Sequence, residues 1–184
     1  ENTTFINCTD NNKSMVNGGD YVGGIVGYAN NCSIDSVNIT HLSITGNNNV
    51  GGIAGFVSGS ITNCNINDNN SSRVRWGIRG NENVGGIAGH STGNIEKCYC
   101  TGVNPNRENG IISGTKNIGG IAGKNDGEIR NCGTNLSLYT ELHSGGLVGE
   151  NTGLIVKSFS SGIIKNGGDI IGGFVGINFG RIFN

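Results

Sequence analysis

The sequence predicts an all-β parallel β-solenoid (β-helix) of about six coils, each 26–34 residues long, and three observations carry that reading. Near-identical hexapeptides, VGGIVG, VGGIAG, VGGIAG, IGGIAG, SGGLVG and IGGFVG, begin at Val22, Val50, Val84, Ile118, Ser144 and Ile171. Their steps of 28, 34, 34, 26 and 27 residues fall in the range of stacked structural repeats. A second signal, a glycine two residues before an apolar Ile, follows the hexapeptides at Gly59, Gly93, Gly127, Gly153 and Gly180. The composition agrees. Thirty-five glycines against one proline in 184 residues, with few aromatics and abundant Asn, Ser and Thr, suit short strands and tight turns rather than helices.

Taken in order, the chain opens with FINC, which reads as the end of a half-coil and places Cys8 in the repeat. The hexapeptide at Val22 starts the first full coil, and VNITHLSIT from Val37 supplies a third apolar stretch that closes it. SGSITNC, TGNIEKC, DGEIRNC and TGLIVKS then follow the hexapeptides at Val50, Val84, Ile118 and Ser144. IIKNGGDII from Ile163 leads into the last hexapeptide, and GRIFN ends at Asn184. Each coil thus needs at least two strands and a turn. The two 34-residue steps carry extra loops, NDNNSSRVRWGIRGNEN from Asn67 and VNPNRENGIISGTKN from Val103, expected on the same side of adjacent coils.

Stacked coils repeat every ~4.8 Å, so a corner residue sits over its own equivalent and bulky corners collide. Glycines 23, 24 and 27 and their later equivalents are expected to give positive φ and close approach. The Ile between them points inward, forming the column Ile25, Ile53, Ile87, Ile121, Leu147 and Phe174. The chain reads as one solenoid domain over 1–184, right-handed by analogy with other parallel β-helices. With no atypical capping coil at either end, it reads as an excised piece of a longer array or a filament unit.

Net charge is −1 with no basic run, which argues against nucleic acid and against an acidic membrane surface as partners. No apolar stretch approaches the ~20 residues that span a bilayer, so membrane insertion is not expected. The opening ENTTFINCTD has neither the basic nor the apolar part of a signal peptide.

The pairing of GGLVG-like with NxGxIxNS-like signals resembles the GLUG-motif repeat family, and GGLVGENTGLIVKSFSSG from Gly145 is the nearest stretch. The resemblance extends over nearly the whole chain. It implies a large surface or secreted protein, such as a bacterial adhesin or the non-catalytic part of an immunoglobulin A protease, hence an extracellular or cell-surface setting. The family has no catalytic motif to carry over, and this chain departs from it in placing Cys where Ser is usual.

Cys8, Cys64, Cys98 and Cys132 share one repeat position, held by Val37 and Ser158 in other coils, and are expected to form an inward column of buried thiols. Cys32 and Cys100 lie outside that column. Disulfides between stacked neighbours stay open, because a ~4.8 Å spacing permits them although parallel side-chain directions do not favour them. A linear column without CxxC spacing does not converge on zinc, and no metal or cofactor is expected. N-glycosylation patterns occur at Asn2, Asn7, Asn12, Asn31, Asn38, Asn69, Asn70 and Asn135. They are sugar sites in a eukaryotic glycoprotein and polar turn residues in a bacterial one.

No catalytic constellation stands out. His41, His90 and His143 fall at three different repeat positions, and the position of His90 is otherwise Tyr28, Phe56, Lys124, Glu150 or Ile177, which reads as an exposed turn. HExxH and phosphate-loop motifs are missing, and the acids are too scattered for a lyase-type calcium site. Glu96 and Arg130 occupy equivalent positions one coil apart and are expected to form a surface ion pair. Thr62, Glu96, Arg130 and Val156 succeed one another in one column, which breaks the flat threonine array of an ice-binding solenoid.

What remains is the first long loop, where Trp76 stands among Arg73, Arg75 and Arg79, side chains able to stack on a sugar ring and hydrogen-bond its substituents, or to anchor a protein interface. The other reading, and the more ordinary one for a lone Trp, has Trp76 folding back to cover the long coil's open edge. The expected function is a non-catalytic extracellular structural or adhesive segment, a rigid shaft with ligand-binding loops. Its partners are neighbouring repeats or head-to-tail copies, and a glycan or host surface protein. Two alternatives are an accessory β-helix domain of a secreted protease or polysaccharide-degrading enzyme, and a subunit of an extracellular filament.

Overall fold

The computed structural model describes residues 14–40, 42–68, 77–102, 111–165 and 168–184. Among them there is no helix, and short strands succeed one another along the chain. Each full coil threads five strands, as in Leu42–Thr45, Asn48–Gly51, Ala54–Val57, Ser60–Thr62 and Asn65–Asp68. Equivalent strands of successive coils pair in parallel, giving five sheets of five or six strands. The protein is therefore a parallel β-solenoid. We number the sheets first to fifth in the order a coil visits them.

The division is finer than the two or three strands per coil expected from sequence. The hexapeptide is itself split: its first half belongs to the second sheet and its last half to the third, with the Gly-Ile corner between them. Strands of two to four residues are too short to show alternation on their own.

Inward columns run through all five sheets. Ile44, Ile78, Ile112 and Leu138 line the first, Val50, Val84 and Ile118 the second, and Ile34, Ile61, Ile95, Ile129 and Ile155 the fourth, all essentially inaccessible to water. The predicted corner column holds too. Ile53, Ile87, Ile121 and Leu147 are fully buried, while Ile25 and Phe174, in the outermost coils, are partly so. β-Branched residues stacked on copies of themselves suit both the pleat and the core, which is why this periodicity folds as sheets.

The corners are built differently from the expectation. Gly23, Gly27 and the glycines of the later hexapeptides lie outside the left-handed region. That conformation falls on Tyr21, Asn49, Asn83 and Asn117, just before the second sheet's buried residue, and on Ser36, Asn63, Lys97, Asn131 and Lys157, just before the fifth. Asn tolerates positive φ because its short amide bonds locally, and here it also bonds between coils. Asn83 Nδ2 donates to Asn49 Oδ1 at 3.1 Å and Asn117 Nδ2 to Asn83 Oδ1 at 3.0 Å. The glycines serve close approach instead: a Cβ on Gly86 would lie 2.1 Å from Gly120 O and 2.7 Å from Cys100 Sγ.

The lengths of the coils also resolve. Asp68 and Gly102 are followed, after eight residues each, by Gly77 and Ile111, which are paired neighbours in the first sheet. In the 26-residue coil Leu136 runs straight into Ser137, the partner of Ile111. Both insertions, 69–76 and 103–110, therefore enter at one register point between the fifth and first sheets, and both lie outside the described residues. The predicted loops are shorter than drawn from sequence: Gly77–Arg79, Glu82–Gly85, Ile111–Gly114 and Lys116–Gly119 are strands, and Ile78 is a core residue.

Candidate ligand cleft

Of the four ligand-binding residues expected on the first insertion, Arg73, Arg75 and Trp76 lie outside the described residues. Arg79 is on the first sheet, partly exposed, in the outward column Asn17, Thr45, Arg79, Ser113, Tyr139 and Lys165. Beside that column is a cleft of about 320 Å³ lined by Gly80, Ser113, Gly114, Thr115, Tyr139, Thr140 and Glu141. Its cause is a step in residue size. The corner after the first sheet reads Gly46, Gly80, Gly114 and then Thr140, and Ser113 is followed in its column by Tyr139. Small residues of two coils make a floor, and Tyr139 and Glu141 of the next coil make a wall.

That wall is held. Lys165 Nζ, one coil further on, lies 5.5 Å from the centroid of the Tyr139 ring. Thr115 Oγ1 donates to Glu141 Oε2 at 3.5 Å across the floor. Among the described residues the Arg79 guanidinium and the Ser113 hydroxyl have no side-chain partner. Tyr139 and Glu141 were not singled out from the sequence. The available signal is SLYTELHS, where the corner glycine of the preceding coils gives way to Thr140 between two large polar side chains.

The outward column of the third sheet is Tyr28, Phe56, His90, Lys124, Glu150 and Ile177. It is a strand position, not the exposed turn that its variability suggested, because outward-facing side chains need only match their stacked neighbours. They do so by kind. Tyr28 and Phe56 stack with centroids 4.6 Å apart, and His90 meets Phe56 edge-on at 5.3 Å. His90 Nε2 also lies 2.7 Å from Asp126 Oδ2, and Lys124 Nζ 3.0 Å from Glu150 Oε1. Burial alone would raise the Asp126 carboxyl, but the Thr152 hydroxyl, His90 and Lys124 outweigh it and hold it below the usual range. Tyr28 and Phe56 already spend a face on each other, so the aromatic half of this column packs rather than forming an open slot.

Glu96 and Arg130 are register partners, as expected, yet they do not pair with each other. Arg130 turns to Glu128 on its own strand, with Nε donating to Oε1 at 2.7 Å, and Glu96 lies 3.6 Å from Lys97. The i, i+2 pairing on one strand face replaces the inter-coil pair. The column around them runs Asp35, Thr62, Glu96, Arg130, Val156 and Phe183, with no flat threonine array.

Cys64, Cys98 and Cys132 form the inward column, with Val37 and Ser158 at the same position, all buried. Cys8 lies outside the described residues. The thiols are free, and so are Cys32 and Cys100. Cys100 is buried in a column of its own, between Ile66 and Thr134 in the fifth sheet. The shared position has a hydrogen-bonding task. Ser158 Oγ accepts from Cys132 N at 3.1 Å and donates to Val156 O at 2.9 Å, and Cys132 Sγ does the same between Cys98 N at 3.4 Å and Arg130 O at 3.3 Å. The left-handed corner just before the position leaves these backbone groups to be met by a side chain, which is why Ser and Cys interchange there. Burial pushes the Cys98 and Cys100 thiols well above the ordinary thiol range.

Three of the eight glycosylation patterns fall on described residues. Asn31 is exposed at a left-handed corner. Asn38 accepts from Asn65 Nδ2 at 3.0 Å. Asn135 has both ends of its amide on the Gly102 backbone, at 2.7 and 3.2 Å, so it staples two coils together. Asn2, Asn7, Asn12, Asn69 and Asn70 lie outside the described residues, as does His41. His143 is on the second sheet, away from His90. Among the described residues no three His, Cys, Asp or Glu side chains converge as metal ligands.

Compared with protein families, with curated proteins and with solved structures, the chain matches none.

Proposed function

We propose that this chain is a non-catalytic extracellular repeat segment, a rigid shaft whose first-sheet face and adjoining insertions engage a surface ligand, either a glycan or a host surface protein. The observation that carries the reading is an asymmetry in an otherwise uniform stack. Both eight-residue insertions enter at one register point, between the fifth and first sheets, and the polar cleft opens on that first sheet. Loops carried on a rigid scaffold are where binding groups concentrate. The GLUG-like pairing of GGLVG with NTGLIVKS supports the same setting of surface and secreted proteins. The test is binding of the purified protein to a glycan panel and to matched cells, beside a variant with Arg75 and Trp76 changed to Ala. Retention of the wild type and loss in the variant support an adhesive role seated on the first insertion. A wild type retained by neither surface contradicts it.

A further inference from the structure

We infer that the first-sheet cleft is a saccharide subsite that takes a single sugar ring over Ser113, between the Tyr139 ring and the Arg79 guanidinium, and prefers a ring bearing a carboxylate. The inference rests on the reading of the chain as a ligand-presenting segment and assigns that ligand a place and a chemistry. Arg79 and Tyr139 are the coil neighbours of Ser113 on its two sides in one outward column. At ~4.8 Å per coil they stand roughly 10 Å apart, with only a serine side chain between them. Lys165 sits over the Tyr139 ring from the coil beyond, so the ring's other face is turned toward Ser113 and the cleft.

The groups on offer match a polyol. An aromatic face suits the C–H face of a sugar ring, the Ser113 and Thr115 hydroxyls both donate and accept, and the exposed Glu141 carboxylate accepts. The volume, about 320 Å³, is at the lower end for ligand sites and fits one or two rings rather than a peptide helix or a flat protein epitope. Arg79 supplies the preference: it borders the cleft from the coil before Ser113 rather than lining it, two coils from the Glu141 carboxylate, and its guanidinium, free of any partner among the described residues, meets a carboxylate in a two-pronged geometry that a neutral hydroxyl cannot copy.

The column itself provides substitutions that preserve folding. Tyr139→Ser installs the residue that Ser113 represents one coil earlier, and Arg79→Thr installs the residue of Thr45. The full chain is tested against immobilised oligosaccharides that end in glucuronate or in glucose. The wild type is expected to bind the glucuronate-ended series more tightly. Tyr139→Ser is expected to weaken both series by about tenfold or more. Arg79→Thr is expected to remove most of the preference while leaving the glucose-ended series nearly unchanged. If the wild type binds glycans or cells and both variants bind them equally well, the subsite is wrong and the adhesive reading stands. If the wild type binds cells but neither saccharide series, the ligand class is wrong. A wild type that binds neither saccharides nor cells overturns both readings.

Discussion

Ten residues other than glycine hold φ between 47 and 58° among the described residues, and the corners of the coil depend on what side chain each carries. Asn suits that backbone, whereas Lys157 at φ 47° gains nothing from it and is exposed. Lys157→Asn is therefore expected to stabilise the fold by roughly 0.5–1 kcal/mol, read as a rise in melting temperature. At the inward corner position the requirement is a small group that both donates and accepts. Cys132→Ser is expected to cost under about 1 kcal/mol, because Ser158 already performs that role one coil on, while Cys132→Val strands the buried Cys98 N–H and costs roughly 1–3 kcal/mol in chemical denaturation. The thiols also give the fold a pH dependence. Below about pH 8 Cys98 and Cys100 are protonated in folded and unfolded chains alike. As pH rises past about 8.5 the unfolded chain ionises its thiols while burial keeps Cys98 and Cys100 protonated, so stability falls. Melting temperature is expected to drop between pH 8 and 10. Alkylation mapped by mass spectrometry should reach Cys64, Cys98, Cys100 and Cys132 only after unfolding, and rapid labelling of the native protein at these sites would contradict their burial.

At the scale of strands and coils, register is the organising quantity, and much of it is legible in the sequence. The hexapeptide spacing fixes the coil count, the Ile corner column and the Cys position, because stacking repeats chemistry at equivalent positions. The five-sheet division is not legible, since strands of two to four residues present no period to read. Neither are the left-handed corners, because Asn and Lys there look like ordinary polar turn residues beside more conspicuous glycines. Arg79 is visible as one of a cluster of arginines, but Tyr139 and Glu141 gain meaning only when Thr140 is aligned with Gly114 and the size step appears. Register also predicts which segments are dispensable to folding. The coil that passes from Leu136 directly to Ser137 closes without an insertion, so deleting 103–110 and joining Gly102 to Ile111 is expected to leave the β-rich circular dichroism spectrum intact and to cost less than ~2 kcal/mol. Loss of the folded spectrum would mean that the insertion is part of the coil.

Across the whole molecule the solenoid is quasi-one-dimensional, each coil held by the hydrogen-bond ladders to the coils before and after it. Its faces are not uniform along that axis. The third sheet's outward column passes from aromatic at Tyr28 and Phe56 to charged at Lys124 and Glu150, and its inward neighbour passes from Ala29 and Val57 to the amides of Asn125 and Asn151. The fourth sheet carries a smaller recess, about 210 Å³, whose lining Arg130 and Glu128 are paired with each other. The first sheet combines an open polar cleft with donors that have no side-chain partner among the described residues, on a scaffold whose ladders leave little freedom to rearrange around a ligand. The most direct test is amide chemical-shift mapping of the isotope-labelled chain during titration with a glucuronate-ended oligosaccharide. Shifts confined to residues 77–81, 113–116 and 139–142, with the other sheets unmoved, are the predicted result. Shifts spread through all five sheets, or concentrated on a face other than the first, would contradict a rigid shaft with its ligand site on that face.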